Sequence, residues 1–352
     1  MISFYPGPSK IYPQIKDFMR EACDSGILSV NHRSDDFIQL SQKTIFLLKD
    51  RLSIPADYSV FFISSATEAW QIIAQEFVDY NTVHVYNGAF GKKWFENSQK
   101  IKPKGEVRSL EFNLEEEISI EKLAAFKEPD LLCITQNETS NATRISNEKI
   151  FELKQFHPNT LLAVDATSSM GGEALAFISG DIWFASVQKC FGMPAGMGIM
   201  VCSPATIQRL QPCAESKYYN SMAFMNEMMY NWQTTYTPNV LSIFLMSKVL
   251  EQSSHIDKVS QRLAKRSIEL YNFFSGLPRI KNLIENTAVR ATTVIALHAG
   301  EKVISEIKKT AKENGMLLGN GYGNWKNDTL RIANFPAHED AEYEKLKELF
   351  VK

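Results

Sequence analysis

The chain has 352 residues, 44% of them apolar and 22% charged, with a formal net charge of −2. That length exceeds one small core and suits two domains, at about 100–200 residues each, in an ordinary globular composition. The near-neutral charge and the lack of a basic block predict neither a nucleic-acid nor a membrane-surface partner, and no apolar run is long enough to span a bilayer. The opening MISFYPGPSK lacks the charged and apolar regions of a signal peptide. Cys23, Cys133, Cys190, Cys202 and Cys213 form no C-x-x-C pair. An odd, scattered set predicts reduced thiols, each buried as a small apolar side chain, and a cytoplasmic location.

In chain order, FYPGPSK carries two prolines and a glycine and predicts an extended arm or loop. Helical patterns follow at Tyr12–Ser25 and Asp36–Leu52. Short β-rich runs (Val60–Ile63, Val83–Tyr86, Leu131–Thr135, Leu161–Val164, Ile182–Val187) then alternate with helical or polar segments such as Glu68–Tyr80 and Asn147–Phe156. That alternation predicts a mainly parallel sheet covered on both faces. Gly196–Cys202 follows the last strand with no helix between, as an antiparallel neighbour would. After about Thr237 the pattern changes to a helix at Ile256–Phe274, a β-like run at Ala291–Leu297 and a helix at Glu301–Asn314. Two short strands near Leu317 and Leu330 and a helix at Ala341–Val351 complete a smaller α+β unit.

The chemistry-bearing residues fall at the C-terminal ends of the predicted parallel strands, where open α/β sheets bind ligands. After Val60–Ile63 comes Ser64-Ser65-Ala66-Thr67-Glu68-Ala69-Trp70, small and hydroxyl residues that open a helix. Free amides and the helix dipole make such a segment an anion cradle; taken alone, an ordinary N-cap explains it as well. Leu161–Val164 ends in Asp165, a carboxylate whose burial calls for a cationic partner such as a protonated pyridine nitrogen. Its plain alternative is a cap on the next loop. Ile182–Val187 ends in Gln188-Lys189. A lysine on a core strand end is uncommon, and one shielded from water loses its proton more easily and becomes a nucleophile or base. The alternative is a lysine that snorkels to the surface. Leu131–Thr135 leads into Gln136-Asn137-Glu138-Thr139, which adds hydrogen-bonding side chains or is merely a polar turn. Cradle, carboxylate and lysine together specify pyridoxal 5′-phosphate: phosphate on the cradle, ring nitrogen on Asp165, aldehyde on Lys189.

On these residues the chain resembles the class V aminotransferases of fold type I, and most of all their phosphoserine aminotransferase branch. The motifs that carry the resemblance are FYPGPSK, NHRSDDF, SSATEAW, YNGAFGKKW, QNETSNAT, VDATSSMGG, SVQKCFGMPAGMG, YTPN and LRIANFP, spread along nearly the whole sequence. The Asp165 and Lys189 pair with its flanks is the specific signal. The resemblance implies an α/β protein of the pyridoxal-phosphate-dependent transferase fold type I. Residues 15–240 would form the large cofactor-binding domain around a mainly parallel, seven-stranded sheet. Residues 1–14 and 241–352 would form the small α+β domain. It also implies a homodimer with its sites at the interface.

Residue by residue, Lys189 matches the lysine that holds the cofactor covalently and Asp165 its pyridinium partner. Ala66 and Thr67 match the phosphate loop, Gln188 a phosphate contact, and Thr139 a hydroxyl near the ring oxygen. Phe90 stands where the family stacks an aromatic ring, usually tryptophan in the phosphoserine branch. Tyr236 and Thr237 match a segment that reaches the other subunit's cofactor phosphate, although that branch has asparagine at Tyr236. His32 and Arg33 match a pair near the substrate phosphate, and Arg331 the clamp on the substrate α-carboxylate. The branch carries a second His-Arg pair upstream of that arginine; here Asn324-Trp325-Lys326 stands instead, and only Lys326 keeps a charge.

The implied reaction is ping-pong transamination of small amino and 2-oxo acids, with glutamate as donor and 3-phosphohydroxypyruvate as acceptor. Lys189 moves the α-proton. A serine–pyruvate or alanine–glyoxylate aminotransferase is the neighbouring alternative, favoured by the missing His-Arg pair. A cysteine desulfurase would need a cysteine on a mobile loop, and a non-catalytic relative would not keep Asp165 with Lys189. The glycines of GNGYGN (Gly319, Gly321, Gly323) read as a hairpin, not a dinucleotide loop. The remaining histidines show no metal-ligand spacing, so no metal is expected.

Overall fold

A computed structural model describes residues 1–101, 103–211 and 218–351. The β-rich runs of the first two hundred residues assemble into one seven-stranded sheet. Its order is Ser59–Ile63, Gly198–Cys202, Ile182–Ser186, Leu161–Asp165, Leu131–Thr135, Thr82–Tyr86 and Val107–Glu111. Gly198–Cys202 runs antiparallel to both its neighbours, as its direct connection requires, and the other recorded pairings are parallel. Side chains alternate across this sheet. Val60, Phe62, Leu132, Ile134, Val164 and Trp183 enter one core, and Phe61, Ile63, Leu131, Cys133, Ala163 and Phe184 enter the other.

The helices Asp35–Leu52 and Val240–Gln252 cover the first face, and Ala66–Glu76 and Ala89–Lys100 the second. Asp35–Leu52 shows how local chemistry sets its ends. Ser34 caps it by accepting from the Phe37 amide, Asp35 and Asp36 occupy its positive first turn, and Lys49 and Arg51 its last. Val240–Gln252 escaped the sequence reading because VLSIFLMSKVL is buried nearly all round, so no polar face marks a period. Ala89–Lys100 was likewise unmarked. Val107–Glu111 was missed for the opposite reason: it is a half-exposed edge strand with a charge at each side of Ser109-Leu110.

The second sheet has the order Ile2–Phe4, Met316–Asn320, Thr329–Ala333, Val294–His298 and Lys281–Asn282. Phe4, Phe274, Ile295, Leu318, Ile332 and Leu346 fill the core beneath it. The strand Ile2–Phe4 pairs in parallel with Met316–Leu318, and the expected arm or loop, FYPGPSK, continues from it as an irregular segment. The chain then crosses to the larger sheet, where the Ser9 amide donates to the Gln188 carbonyl (3.2 Å) and the Tyr12 amide to the Gly192 carbonyl (2.9 Å). The arm therefore lies against the segment that carries Lys189. GNGYGN forms the connection between two antiparallel strands, Met316–Asn320 and Thr329–Ala333.

The cysteine expectation needs one correction. Cys133, Cys190 and Cys202 are buried, but Cys23 is exposed on the helix Ile15–Asp24; Cys213 lies outside the described residues. Among the described residues no helix is long and apolar enough to cross a membrane, and no group of three or more His, Cys, Asp or Glu side chains is placed to hold a metal ion.

Two histidines are locked in these cores. His84 sits between the rings of Trp94 (5.2 Å) and Phe95 (5.7 Å) with Nε2 unpartnered. His338 stacks on Phe4 at 5.0 Å, with Nε2 against the Ser3 carbonyl at 2.8 Å. Burial lowers them from 6.5 to about 3 and about 4. Between pH 6.5 and about 4 the unfolded chain therefore binds protons that the folded chain refuses. Each site removes stability as pH falls, by up to about 1.4 kcal/mol per pH unit. Thermal unfolding midpoints should drop across that range. His84→Phe, which keeps a ring without a titrating nitrogen, should flatten the slope; an unchanged slope contradicts the assignment.

Candidate active site

Strand ends fix the reactive groups. Leu161–Asp165 and Ile182–Ser186 are adjacent parallel strands, so Asp165 and Lys189 emerge at the same sheet edge. With them, Ala66, Thr67, Phe90, Thr139, Gln188, Arg331 and Lys326 line one cavity of about 490 Å³, a size suited to a small cofactor with its substrate. A second cavity, of about 380 Å³, is walled by Cys190, Tyr12 and Arg262 but reaches neither Lys189 nor Asp165, so the chemistry belongs to the first.

Lys189 is 8% exposed. Its Nζ donates to Ser168 Oγ (2.9 Å) and Thr139 Oγ1 (3.2 Å) and stands 5.4 Å from the Phe90 ring centroid. The two hydroxyls also bond each other. The Ser168 carbonyl accepts from Thr293 Oγ1 (2.6 Å) and Cys190 Sγ (3.2 Å), which pins the serine. Gly7, at φ +144°, passes so close that a Cβ there would meet Lys189 Cε at 2.8 Å. Burial lowers the lysine below its usual range, Arg331 adds to that, and Asp165 and Glu138 draw it partly back.

Asp165 faces the same cavity. Oδ2 accepts from Trp70 Nε1 (3.2 Å) and Oδ1 from the Thr167 amide (2.9 Å). Burial pushes its carboxyl up, while the Thr167 hydrogen bond, the Lys189 charge and Trp70 oppose that. No ion pair within 4 Å joins Asp165 to Lys189 among the described residues, so the carboxylate's direct partners are the Trp70 indole and Thr167.

At the cradle, Ser65 caps the helix Ala66–Glu76 by accepting from the Glu68 amide (3.1 Å), and Glu68 returns to the Ser64 amide (2.5 Å). The Ala66 amide, expected to be open for an anion, is bonded to Ser186 Oγ at 2.8 Å. Glu138, buried and pushed up by its burial, accepts from the amides of Phe90 (3.0 Å) and Gly91 (3.1 Å), and Ser140 Oγ from that of Ala89 (3.0 Å). These bonds hold Phe90 over the site. Arg331, 5% exposed, donates Nε to the Asn320 carbonyl and Nη1 to the Thr139 carbonyl, both at 2.7 Å, which leaves Nη2 for a ligand.

Four expected residues lie elsewhere. Thr237 Oγ1 meets His32 Nδ1 at 3.4 Å, and Arg33 Nη1 donates to Gln233 Oε1 at 2.8 Å. Tyr236 lines a separate cavity of about 180 Å³ with Ser64. His32, Arg33, Tyr236 and Thr237 are thus near one another and outside the Lys189 cavity of their own chain. Sequence reasoning missed Trp70, Ser168, Ser186 and the capping role of Glu138. Trp70 is four residues beyond Ala66, on the same helix face, and Ser168 three beyond Asp165; both spacings were available as signals.

The residues fit pyridoxal 5′-phosphate. Thr135 Oγ1 and Asn137 Oδ1 are buried without a partner, and both residues line this cavity. Each such atom costs about 1–3 kcal/mol until a polar ligand meets it. Comparison with known proteins agrees. The family model described as aminotransferase class V matches residues 5–323. A phosphoserine aminotransferase of Corynebacterium glutamicum is 24% identical over 350 residues, covering 97% of this chain and 91% of that protein. The solved phosphoserine aminotransferase of Cytophaga hutchinsonii is 30% identical with a TM-score of 0.92, covering 99% and 97%. A pyridoxal-phosphate-bound phosphoserine aminotransferase of Trichomonas vaginalis shares the fold at 14% identity, TM-score 0.83, covering 99% of each chain. The fold is type I of the pyridoxal-phosphate-dependent transferases, and pyridoxal 5′-phosphate is the cofactor.

Two outcomes follow from this geometry. Borohydride reduction of the cofactor-loaded protein, followed by peptide mass mapping, should place the pyridoxyl group on Lys189; label on another lysine with Lys189 unmodified refutes the assignment. Asp165→Asn should fold and bind cofactor yet lose roughly 10²-fold or more in turnover, because the amide cannot stabilise a protonated pyridine. Near-normal turnover would remove Asp165 from the mechanism.

Proposed function

The chain belongs to the class V aminotransferase family, and we propose that within it this protein transfers an amino group from glutamate to 3-phosphohydroxypyruvate, giving phosphoserine and 2-oxoglutarate. The observation that carries the reading is a buried, hydroxyl-held lysine amine sharing a cavity with an unpaired carboxylate and a buried arginine. Support for the phosphorylated acceptor comes from relatives named phosphoserine aminotransferase and from the His32-Arg33 pair.

When bound, pyridoxal 5′-phosphate supplies an electron sink for the charge left as the substrate α-proton departs. The protein's residues do the rest. Arg331 takes the α-carboxylate on its free Nη2 edge. Lys189 Nζ accepts the α-proton as a neutral amine and gives it back, with Ser168 and Thr139 holding the nitrogen in place. Asp165 keeps a negative charge at the closed end of the cavity, fixed by Trp70 and the Thr167 amide. Phe90 and the Gly7 arm restrict water around the amine.

Pairing of two copies accounts for His32, Arg33, Tyr236 and Thr237, which serve a Lys189 cavity only from a second chain. Exposed aromatic side chains accompany them: Phe46 (54% exposed) packs its edge on Trp232, and Tyr219 (64%) on Tyr236. Aromatic surface of this kind is typical of subunit contacts. His32 and Arg33 would then face the partner's substrate phosphate.

The substrate assignment separates by mutant pattern. Arg331→Ala should lower kcat/KM for glutamate and phosphoserine alike, since both carry the α-carboxylate. Arg33→Ala should cost phosphoserine about tenfold more than glutamate, by loss of a charge-assisted contact. Equal losses for both donors in Arg33→Ala, or a wild type that prefers alanine or serine to phosphoserine, would discard the phosphoserine reading in favour of another class V transaminase.

A further inference from the structure

The second cavity, of about 380 Å³, takes no part in the chemistry at Lys189, yet its size is that of a small-ligand site, about 300–1,000 Å³. It opens between helices that belong to different sheets. Asp35–Leu52 and Val240–Gln252, which cover the larger sheet, form one side, and Ile256–Ser275, which packs on the smaller sheet, forms the other. The floor is apolar: Leu52, Phe191, Leu250 and Ile256 line it and are buried. The rim is cationic. Arg51 comes from the end of its helix, and Lys258 and Arg262, four residues apart, share one face of Ile256–Ser275.

Charge is unbalanced here. No aspartate or glutamate lines this cavity among the described residues. The carboxylates nearest in sequence are committed elsewhere: Asp50 to Arg51 (3.4 Å), Asp257 to His255 (3.1 Å), and Glu251 to Lys43 and Lys248. Lys258 and Arg262 form no ion pair among the described residues. Arg262 donates Nη2 to the Pro336 carbonyl (2.9 Å) and keeps Nε and Nη1 for another acceptor. Tyr12 adds a phenol to the same wall. Burial pushes it up to about 12, against the charge of Arg262, so it stays a donor. Cations around one apolar hollow repel one another until an anion enters.

We propose that this cavity binds a small organic anion, its apolar body on the floor and its carboxylate or phosphate on Lys258, Arg262 and Arg51. The site is separate from the Lys189 cavity and stands whichever acceptor the transaminase uses. The two cavities back onto each other, with Lys189 lining one and the next residue, Cys190, lining the other.

The test is isothermal titration of the cofactor-loaded enzyme with phenylacetate, its neutral counterpart phenylacetamide, phenyl phosphate and inorganic phosphate. At least one of the two aryl anions should bind, at least about tenfold more tightly than phenylacetamide and inorganic phosphate alike. The tighter of the two identifies the head that the site takes. Lys258→Met combined with Arg262→Gln, whose amide can still donate to the Pro336 carbonyl, should weaken that anion at least about tenfold and leave phenylacetamide unchanged. Lys258→Met alone, a change on an exposed side chain, should give part of the loss with an unaltered thermal midpoint. Arg331→Ala, a change in the Lys189 cavity, should bind the anion as wild type does. Absence of binding by both anions, equal binding of phenylacetamide or inorganic phosphate, or an unaffected double variant would overturn the site. A loss confined to Arg331→Ala would overturn it too, because it puts the anion beside Lys189.

Discussion

An amine and a carboxylate are buried in one cavity without pairing with each other, and most of the site is arranged around that fact. A direct Lys189–Asp165 ion pair would satisfy both charges and leave nothing for a ligand to do. Instead each is held by separate partners, Lys189 by two hydroxyls and Asp165 by an indole and an amide. Burial without a charged partner moves Lys189 toward the neutral amine and Asp165 toward the neutral acid. A cationic ring nitrogen beside Asp165 would oppose the second shift, because it favours the carboxylate.

Holding two such groups apart demands a rigid frame, and the adjacent strands Leu161–Asp165 and Ile182–Ser186 supply it. The smaller sheet then closes the space from outside. Its first strand sends the arm past Lys189, where Gly7 permits contact with the lysine stem. Its central strand sends Arg331 to the Thr139 carbonyl, the residue whose hydroxyl also holds Lys189 Nζ. Arg331 and the Lys189 amine therefore share one residue, Thr139, so a shift of the smaller sheet is felt at both.

Much of this was legible in the sequence because strand ends are. A buried parallel strand reads as a short apolar run, and the first polar residue after it must sit at the sheet edge. Asp165 after Leu161–Val164 follows from that rule alone, and after Ile182–Val187 the rule reaches Gln188 and the neighbouring Lys189. Ala66 and Thr67 follow from the strand-to-helix switch. What stayed hidden depends on contacts between distant segments. Trp70 reads as a core residue until its indole is seen on Asp165, 95 positions away. Ser168 looks like one of several small residues in a loop. Glu138 looks like part of a polar turn, and its capping of the Phe90 helix needs the helix to be placed first. The all-apolar helix Val240–Gln252 and the edge strand Val107–Glu111 show the limit for elements: periodicity is visible only where one face differs from the other.

Recognition of cofactor and recognition of substrate rest on different kinds of support. The cofactor-facing groups are short side chains on strand ends or helix starts, each with at least one neighbour fixing its direction. The cations Lys326 and Lys93 are instead long side chains on a glycine-shaped hairpin and on a helix surface, and Lys93 is held by a phenol and by ring faces. Changing a strand-end group alters the chemistry for every substrate. Because Tyr322 touches Phe90, Lys93 and Arg331 together, the hairpin cannot move without disturbing the ring near Lys189 and the Arg331 guanidinium.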